Sequence, residues 1–138
     1  MDNSLEGQRV VVVGGGSGMG LALCEQLLTR RCEVLMVGRS REKLEAARDG
    51  LRESGTARLH QAHVTREEEV QRLFDASGPV DHLVCTAADI RGAYELLPQL
   101  ELGALDRAIR SKVIAPILLA KHGAQRLRPQ GSITLTSG

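Results

Sequence analysis

Short, uninterrupted apolar runs alternate with longer stretches of mixed polarity through most of the chain. Such runs are typical of strands that are covered on both faces of a parallel sheet. They predict strands over 9–13, 32–37 and 80–85, whereas a more polar segment over 57–64 predicts a weaker strand, and a turn at 128–131 leads into a fifth strand over 131–138. Because helical stretches separate the strands, the pattern predicts an α/β fold with a parallel sheet and right-handed crossovers.

Apolar residues spaced three and four positions apart predict the helices between these strands. The first helix covers 21–30, and Ser40 is placed to cap the second. Thr65 opens a sequence with the form of a capping box, which predicts the start of the third helix. A long helix follows over about 105–127, and Pro116 predicts a kink or a weakened turn within it.

A glycine-rich loop, Gly14-Gly15-Gly16-Ser17-Gly18-Met19-Gly20, joins the first strand to the first helix. Its glycines at 14, 18 and 20 serve three needs: a left-handed turn, close approach of backbone N–H groups to a pyrophosphate, and close packing of helix on strand. The positive end of the helix dipole then faces the phosphates. The loop therefore predicts a dinucleotide-phosphate site, and the alternative is a purely structural turn.

The end of the second strand, Gly38-Arg39-Ser40, bears on the choice of nucleotide. A site selective for NAD places a carboxylate about 20 residues after the glycine loop, where it binds the ribose 2′-hydroxyl. No acidic residue stands at 38–40. Arg39 can pair instead with a 2′-phosphate, and Ser40 can donate beside it. The sequence therefore predicts NADP(H), and the alternative is a solvated arginine at a helix start.

The wider glycine spacing, Gly-x-x-x-Gly-x-Gly, resembles that of the short-chain dehydrogenase/reductase family. The resemblance continues along the chain through His63-Val64-Thr65, Cys85-Thr86-Ala87-Ala88 and Gly131–Gly138, the last matching the family's fifth strand. It implies a Rossmann-type doubly wound parallel sheet with strand order 3-2-1-4-5, truncated after the fifth strand. Residues 1–138 would then form an NADP(H)-binding Rossmann domain that is an incomplete domain of this family.

The resemblance also implies which residues contact the cofactor: Gly14, Gly16, Ser17, Gly18, Met19, Gly20, Arg39, Ser40, His63, Val64, Cys85 and Ala87. Several positions depart from the family's pattern. His63 replaces an aspartate, Cys85 replaces an asparagine, and Lys112 stands where the family has the asparagine of its proton relay. Val13 and Ala88 are further departures.

Catalytic residues are sparse in this chain. Ser137 is the one candidate by resemblance to the family's serine doublet, whose second, carbonyl-polarising position falls on Gly138. The family's Tyr-x-x-x-Lys is absent, because the only tyrosine, Tyr94, is followed four residues later by Pro98.

Two functions follow as alternatives. In the first, the chain supplies the cofactor-binding half of an oxidoreductase that transfers hydride between the nicotinamide and a carbonyl or alcohol substrate, and it is inactive alone. In the second, it is a non-enzymatic nucleotide-binding sensor or scaffold that lost catalytic residues. A third, structural possibility is a fragment held by a partner copy.

The composition of the chain argues against several other classes of binding partner. A net charge of +1 with one Phe, one Tyr and no Trp argues against nucleic-acid binding. No apolar run approaches the roughly 20 residues of a membrane span, and no signal sequence is present, which predicts a cytoplasmic protein without membrane contact. The three cysteines and four histidines lack metal-ligand spacing, so no metal is predicted. The open edge of the fifth strand predicts a homo-oligomer.

Overall fold

The computed structural model describes residues 4–137. Its strands and helices follow in chain order: β1 Arg9–Val13, α1 Gly18–Thr29, β2 Glu33–Gly38, α2 Arg41–Gly50, β3 Arg58–Gln61, α3 Glu67–Ser77, β4 Val80–Cys85, α4 Leu102–Ile109, α5 Ala115–Gly123 and β5 Leu127–Leu135. Short 3₁₀ turns cover Leu97–Gln99 and Ala124–Arg126, and a π-helical turn, Arg110–Ile114, joins α4 to α5.

The five strands of the described residues form one sheet in the order β3-β2-β1-β4-β5, and all neighbours are parallel. This confirms the predicted sheet and its order. β1 lies at the centre, so the chain winds outward from it in both directions. The carboxyl ends of β1, β2 and β4 therefore meet where the strand order reverses, which is where α/β proteins bind ligands.

Helices cover both faces of the sheet, as the apolar runs predict. The valines of β1 at 10–13 are at most 2% exposed, because alternate side chains point to opposite faces. The odd-numbered valines pack in the core under α3 and α5, with Phe74 and Leu119. The even-numbered valines pack in the core under α1 and α2, with Cys24 and Leu44. Each such buried side chain stabilises the fold by roughly 1.5–3 kcal/mol.

The helix starts test two predicted caps. The Ser40 cap is confirmed, because its hydroxyl oxygen accepts a hydrogen bond from the Lys43 backbone N–H at 3.3 Å. The prediction that Thr65 caps α3 is wrong. The N-cap position is held by Arg66, and no described side chain makes a capping hydrogen bond to the first N–H groups of this helix. The Glu69 carboxylate instead accepts a hydrogen bond from the backbone N–H of His63.

The long helix predicted over 105–127 is divided at its middle. The turn before Pro116 is π-helical, and Pro116 itself lies in the first turn of α5. Proline has no N–H to continue the α-helical ladder, so the backbone widens in the preceding turn. The predicted weakened turn is thus a π-helical one.

The outer strands differ in extent from the prediction. β3 is shorter than 57–64, and β5 begins at Leu127 instead of 131. β5 gains its early start through a bulge, where its register against β4 shifts between Val80 and His82. Gln130 has φ +68 within this bulge. A bulge also tolerates Pro129, which has no N–H to donate to the ladder.

Candidate functional site

A cleft of about 740 Å³ opens at the carboxyl ends of β1, β2 and β4. Most of the predicted cofactor contacts line it, namely Gly14, Gly16, Ser17, Gly18, Met19, Arg39, Ser40, His63, Val64 and Ala87. Gly20 and Cys85 do not line it. Residues from four separate parts of the sequence thus come together because the parallel strands end at the same edge.

Glycine is needed at positions 14, 18 and 20 of the loop for different structural reasons. A Cβ at Gly14, whose φ is +90, would lie 2.7 Å from Thr86 Oγ1. A Cβ at Gly20 would lie 2.7 Å from both the Gly14 carbonyl carbon and Thr86 Oγ1. Gly18 has φ +53, yet apart from its chain neighbours and the backbone of its own helix no described atom lies within 4 Å of the Cβ position there. Packing therefore requires Gly14 and Gly20, whereas Gly18 leaves open space at the cleft.

The N-terminus of α1 begins in this loop. Ser17 is its N-cap, but no side chain among residues 4–137 bonds the first-turn N–H groups as a cap, and that turn holds no acidic residue. In contrast, the first turn of α3 carries three glutamates that complement the helix dipole. The uncapped N–H groups and positive dipole of α1 are therefore available to an anion in the cleft.

The end of β2 positions Arg39 at the mouth of the cleft. The Gln61 side-chain amide donates to the Arg39 carbonyl oxygen at 2.9 Å, which ties this loop to the end of β3. The Arg39 guanidinium lies 3.2 Å from the Asp89 carboxylate. Ser40 accepts the capping hydrogen bond of α2, and its hydroxyl proton remains able to donate to a ligand.

The end of β3 is held by α3. Val64 is buried, and His63 lines the cleft beside it. The backbone N–H of His63, bonded to Glu69, holds the pKa of that carboxyl below its ordinary value. Glu69 therefore stays ionised at neutral pH and fixes the loop that carries His63.

The end of β4 closes the floor of the cleft next to the glycine loop. The Thr86 backbone N–H donates to the Val13 carbonyl oxygen at 2.9 Å, and Ala87 lies against Gly14. Cys85 packs into the core below, and burial raises the pKa of its thiol. Its side chain is thus absent from the described lining, and Thr86, which the sequence did not single out, makes the close contact with the loop.

The charges that line the cleft are mostly positive. Asp89 is the single carboxylate among the described lining residues, and the cations are Arg39, Lys43, Arg91, Arg107 and Arg110. The Arg91 guanidinium, which donates to both Asp89 oxygens at 2.8 and 2.7 Å, holds the pKa of that carboxyl well below its usual range. Of this set the sequence singled out Arg39 alone. Its other members come from the segment after β4, from α2 and α4, and from the π-helical turn.

The candidate catalytic residues lie apart from the cleft lining. Ser137 is exposed just after β5, and Gly138 lies outside the described residues. The Lys112 ammonium donates to the Thr136 carbonyl oxygen at 3.4 Å, so the π-helical turn contacts the end of β5 beside Ser137. Tyr94 is 76% exposed in the segment between β4 and α4.

The described part of the chain shows neither a candidate metal site nor a helix that could span a membrane. Within residues 4–137, no group of three or more His, Cys, Asp or Glu side chains could hold a metal ion. The helices in the same range are all too short or too polar to span a bilayer.

A central parallel sheet, helices on both faces and a glycine loop at the strand reversal define a Rossmann-type α/β protein. Residues 8–138 match the sequence profile of the short chain dehydrogenase family. The chain therefore belongs to the short-chain dehydrogenase/reductase family, which confirms the resemblance found in its motifs.

The chain spans only about half the length of the relatives that it matches. The short-chain dehydrogenase/reductase ucsE of Acremonium sp is 31% identical over 154 residues, covering 99% of this chain and 58% of the relative. A short-chain dehydrogenase/reductase structure from Mycobacterium ulcerans has a TM-score of 0.79 at 26% identity, over 88% of this chain and 47% of that one. The MalC reductase/Diels-Alderase structure from Malbranchea aurantiaca has a TM-score of 0.86 at 24% identity, over 99% and 58%.

Proposed function

We propose that this chain binds NADP(H) in the cleft and forms the cofactor-binding part of an oxidoreductase acting on a carbonyl or alcohol substrate. One observation carries the proposal: the open left-handed position of Gly18 lies beside the uncapped N-terminus of α1, facing the cleft. This arrangement admits a pyrophosphate where a side chain at position 18 would exclude it.

The chain's own groups fit each part of the cofactor. Backbone N–H groups at the start of α1 would bind the pyrophosphate, and Arg39 would pair with the 2′-phosphate. The side chain of His63 and the buried Val64 would border the adenine. When bound, the nicotinamide supplies the hydride that the reaction transfers.

This chain would contribute little of the acid-base chemistry of the reaction. Ser137 would hydrogen-bond the substrate carbonyl, and the Lys112 ammonium donates to the carbonyl oxygen of the preceding residue, Thr136. The chain has no Tyr-x-x-x-Lys to donate the proton, so residues 1–138 act as an NADP(H)-binding domain. The whole protein's substrate is a small carbonyl or alcohol compound.

A second function is a nucleotide-binding sensor or scaffold without catalysis. The position of Cys85 favours it, because this side chain stands in the place of the family's asparagine and is only 3% exposed. A buried thiol offers the nicotinamide side of the cleft no amide hydrogen bond. Both functions share the same cofactor site and differ only in turnover.

Substitution of Gly18 tests the shared claim. Gly18→Val should abolish the stabilisation that NADPH gives to the wild type, about 2.7 kcal/mol at 100 times the dissociation constant. Thermal unfolding with and without NADPH measures this difference. Gly7→Val is the matched control, because Gly7 has φ +77 with no described atom near its Cβ position and lies outside the cleft lining. An undiminished shift in Gly18→Val would mean that the loop is only a turn.

A further inference from the structure

Asp89 stands out because it is the one carboxylate among the described residues that line a strongly cationic cleft. A phosphorylated cofactor brings several negative charges to this cleft, so each lining arginine or lysine favours its binding. A carboxylate in the same lining opposes it. The position of Asp89 therefore requires an explanation that the glycine loop and Arg39 do not give.

The Asp89 carboxylate is held firmly between two guanidinium groups. Arg91 donates to its two oxygens at 2.8 and 2.7 Å, and Arg39 Nη1 lies 3.2 Å from Oδ2. Its backbone N–H donates to the Ser111 hydroxyl at 2.8 Å. The side chain is 11% exposed, whereas that of Arg39 is 56% exposed. Asp89 is thus the fixed partner and Arg39 the accessible one.

We propose that Asp89 occupies the anion position beside Arg39 and thereby determines how strongly the cleft prefers a 2′-phosphate to a 2′-hydroxyl. The inference rests on the proposed binding of NADP(H). A 2′-phosphate must displace Asp89 from Arg39 or share the guanidinium with it, and the two anions repel each other. A ribose hydroxyl carries no charge, so its binding does not require this exchange.

A simpler role for Asp89 is to fix the loop after β4 through Arg91 alone. In that case the charge of Asp89 would not act through Arg39. A double-variant cycle separates the two roles, because it measures whether the effect of one substitution depends on the other residue.

The probes are 2′,5′-ADP and 5′-AMP, which differ only in the 2′-phosphate. Titration calorimetry on Asp89→Asn should show roughly fivefold tighter binding of 2′,5′-ADP than in the wild type, the scale of a partly exposed ion pair. Binding of 5′-AMP should change by less than about twofold. In the Arg39→Ala background the gain from Asp89→Asn should disappear.

Glu45→Gln is the control for net charge, because it removes a carboxylate from the exposed Arg41–Glu45 pair of α2, outside the cleft lining. Its affinity for both probes should equal that of the wild type. Asp89→Ser serves as a second charge-removing variant, and circular dichroism verifies that each variant folds.

An unchanged ratio of the two affinities in Asp89→Asn would overturn the proposal, and so would a gain that persists without Arg39. Failure of the proposed function gives a different result, because the wild type would then bind neither 2′,5′-ADP nor NADPH. That outcome would overturn both claims.

Discussion

Three glycines of the glycine-rich segment that joins β1 to the first turn of α1 have different roles at the scale of single residues. Gly14 and Gly20 are required because neighbouring atoms already fill the space of a side chain. Gly18 has a left-handed backbone with open space at its Cβ position, and the proposed pyrophosphate would use that space. Substitutions should therefore separate the stability of the fold from the binding of the cofactor.

Gly20→Ala should destabilise the protein by about 1–3 kcal/mol, because the new methyl group would overlap the Gly14 carbonyl and Thr86. Urea denaturation without nucleotide measures the free energy of unfolding. Gly16→Ala is the control, since its Cβ would lie 3.5 Å from Leu44, an ordinary contact. The control should change stability by less than about 0.5 kcal/mol. Equal stability of Gly20→Ala and wild type would contradict this account of the packing.

At the scale of single residues, the sequence identifies Arg39 as a candidate site residue but does not identify Asp89. Arg39 is identifiable because no acidic residue stands at the end of the second strand. Its contact with Asp89 joins residues 50 positions apart. Neither local spacing nor composition indicates such a pair. The signal that could have found Asp89 is its place just after β4, where ligand-binding residues collect in α/β folds.

At the scale of elements, the two predicted caps give opposite results that can be measured together. Ser40→Ala should destabilise the fold by about 1 kcal/mol, because it removes the oxygen that bonds the Lys43 N–H. Thr65→Ala should cost less than about 0.5 kcal/mol, because Thr65 makes no capping bond to α3. Urea denaturation of both variants checks the pair. An equal loss in the two would show that Thr65 caps α3 after all.

The inner strands were predictable because buried parallel strands require continuous apolar runs, as Val10–Val13 show. The start of β5 was not, because Arg128, Pro129 and Gln130 have the composition of a turn. Pairing with β4 overrides that local preference and accommodates it as a bulge. Likewise, Pro116 indicates an irregular helix but not that the irregularity is π-helical.

At the scale of the whole molecule, β5 forms an edge of the sheet, pairing only with β4 among the described strands. Exposed edge strands tend to pair with other chains. A further apolar surface lies along α4, the π-helical turn and α5, where the exposed large apolar side chains are Leu102, Leu105, Ile109, Val113, Ile114 and Ile117. Both features are consistent with the homo-oligomer that the sequence predicts, which remains a prediction.

A protein of residues 1–138 should show no turnover of NADPH with any carbonyl compound and should sediment as a species larger than a monomer. The first result follows from the missing tyrosine-lysine pair, and the second from the open edge and the apolar surface. NADPH absorbance across a carbonyl panel and sedimentation of the same sample measure the two. Turnover by a monomer would contradict both and direct attention to Tyr94, Lys112 and Ser137 as proton donors.

The pattern of the sequence alone does not predict the order of the strands in the sheet. Alternating strands and helices predict parallel pairing, but many orders satisfy that pattern. The order 3-2-1-4-5 came from the family resemblance carried by the glycine loop and the ends of the strands. The structure agrees, and the match to the family over residues 8–138 explains why.

The most direct test of the central claim is the affinity of the chain for NADPH compared with NADH. Calorimetric titration should give about 1.5 kcal/mol in favour of NADPH, roughly tenfold, because Arg39 forms a charge-assisted contact only with the 2′-phosphate. Arg39→Ala should lose this preference, whereas Arg41→Ala, on the exposed face of α2, should keep it. Equal affinities for the two cofactors in the wild type, or a preference that survives Arg39→Ala, would contradict the account.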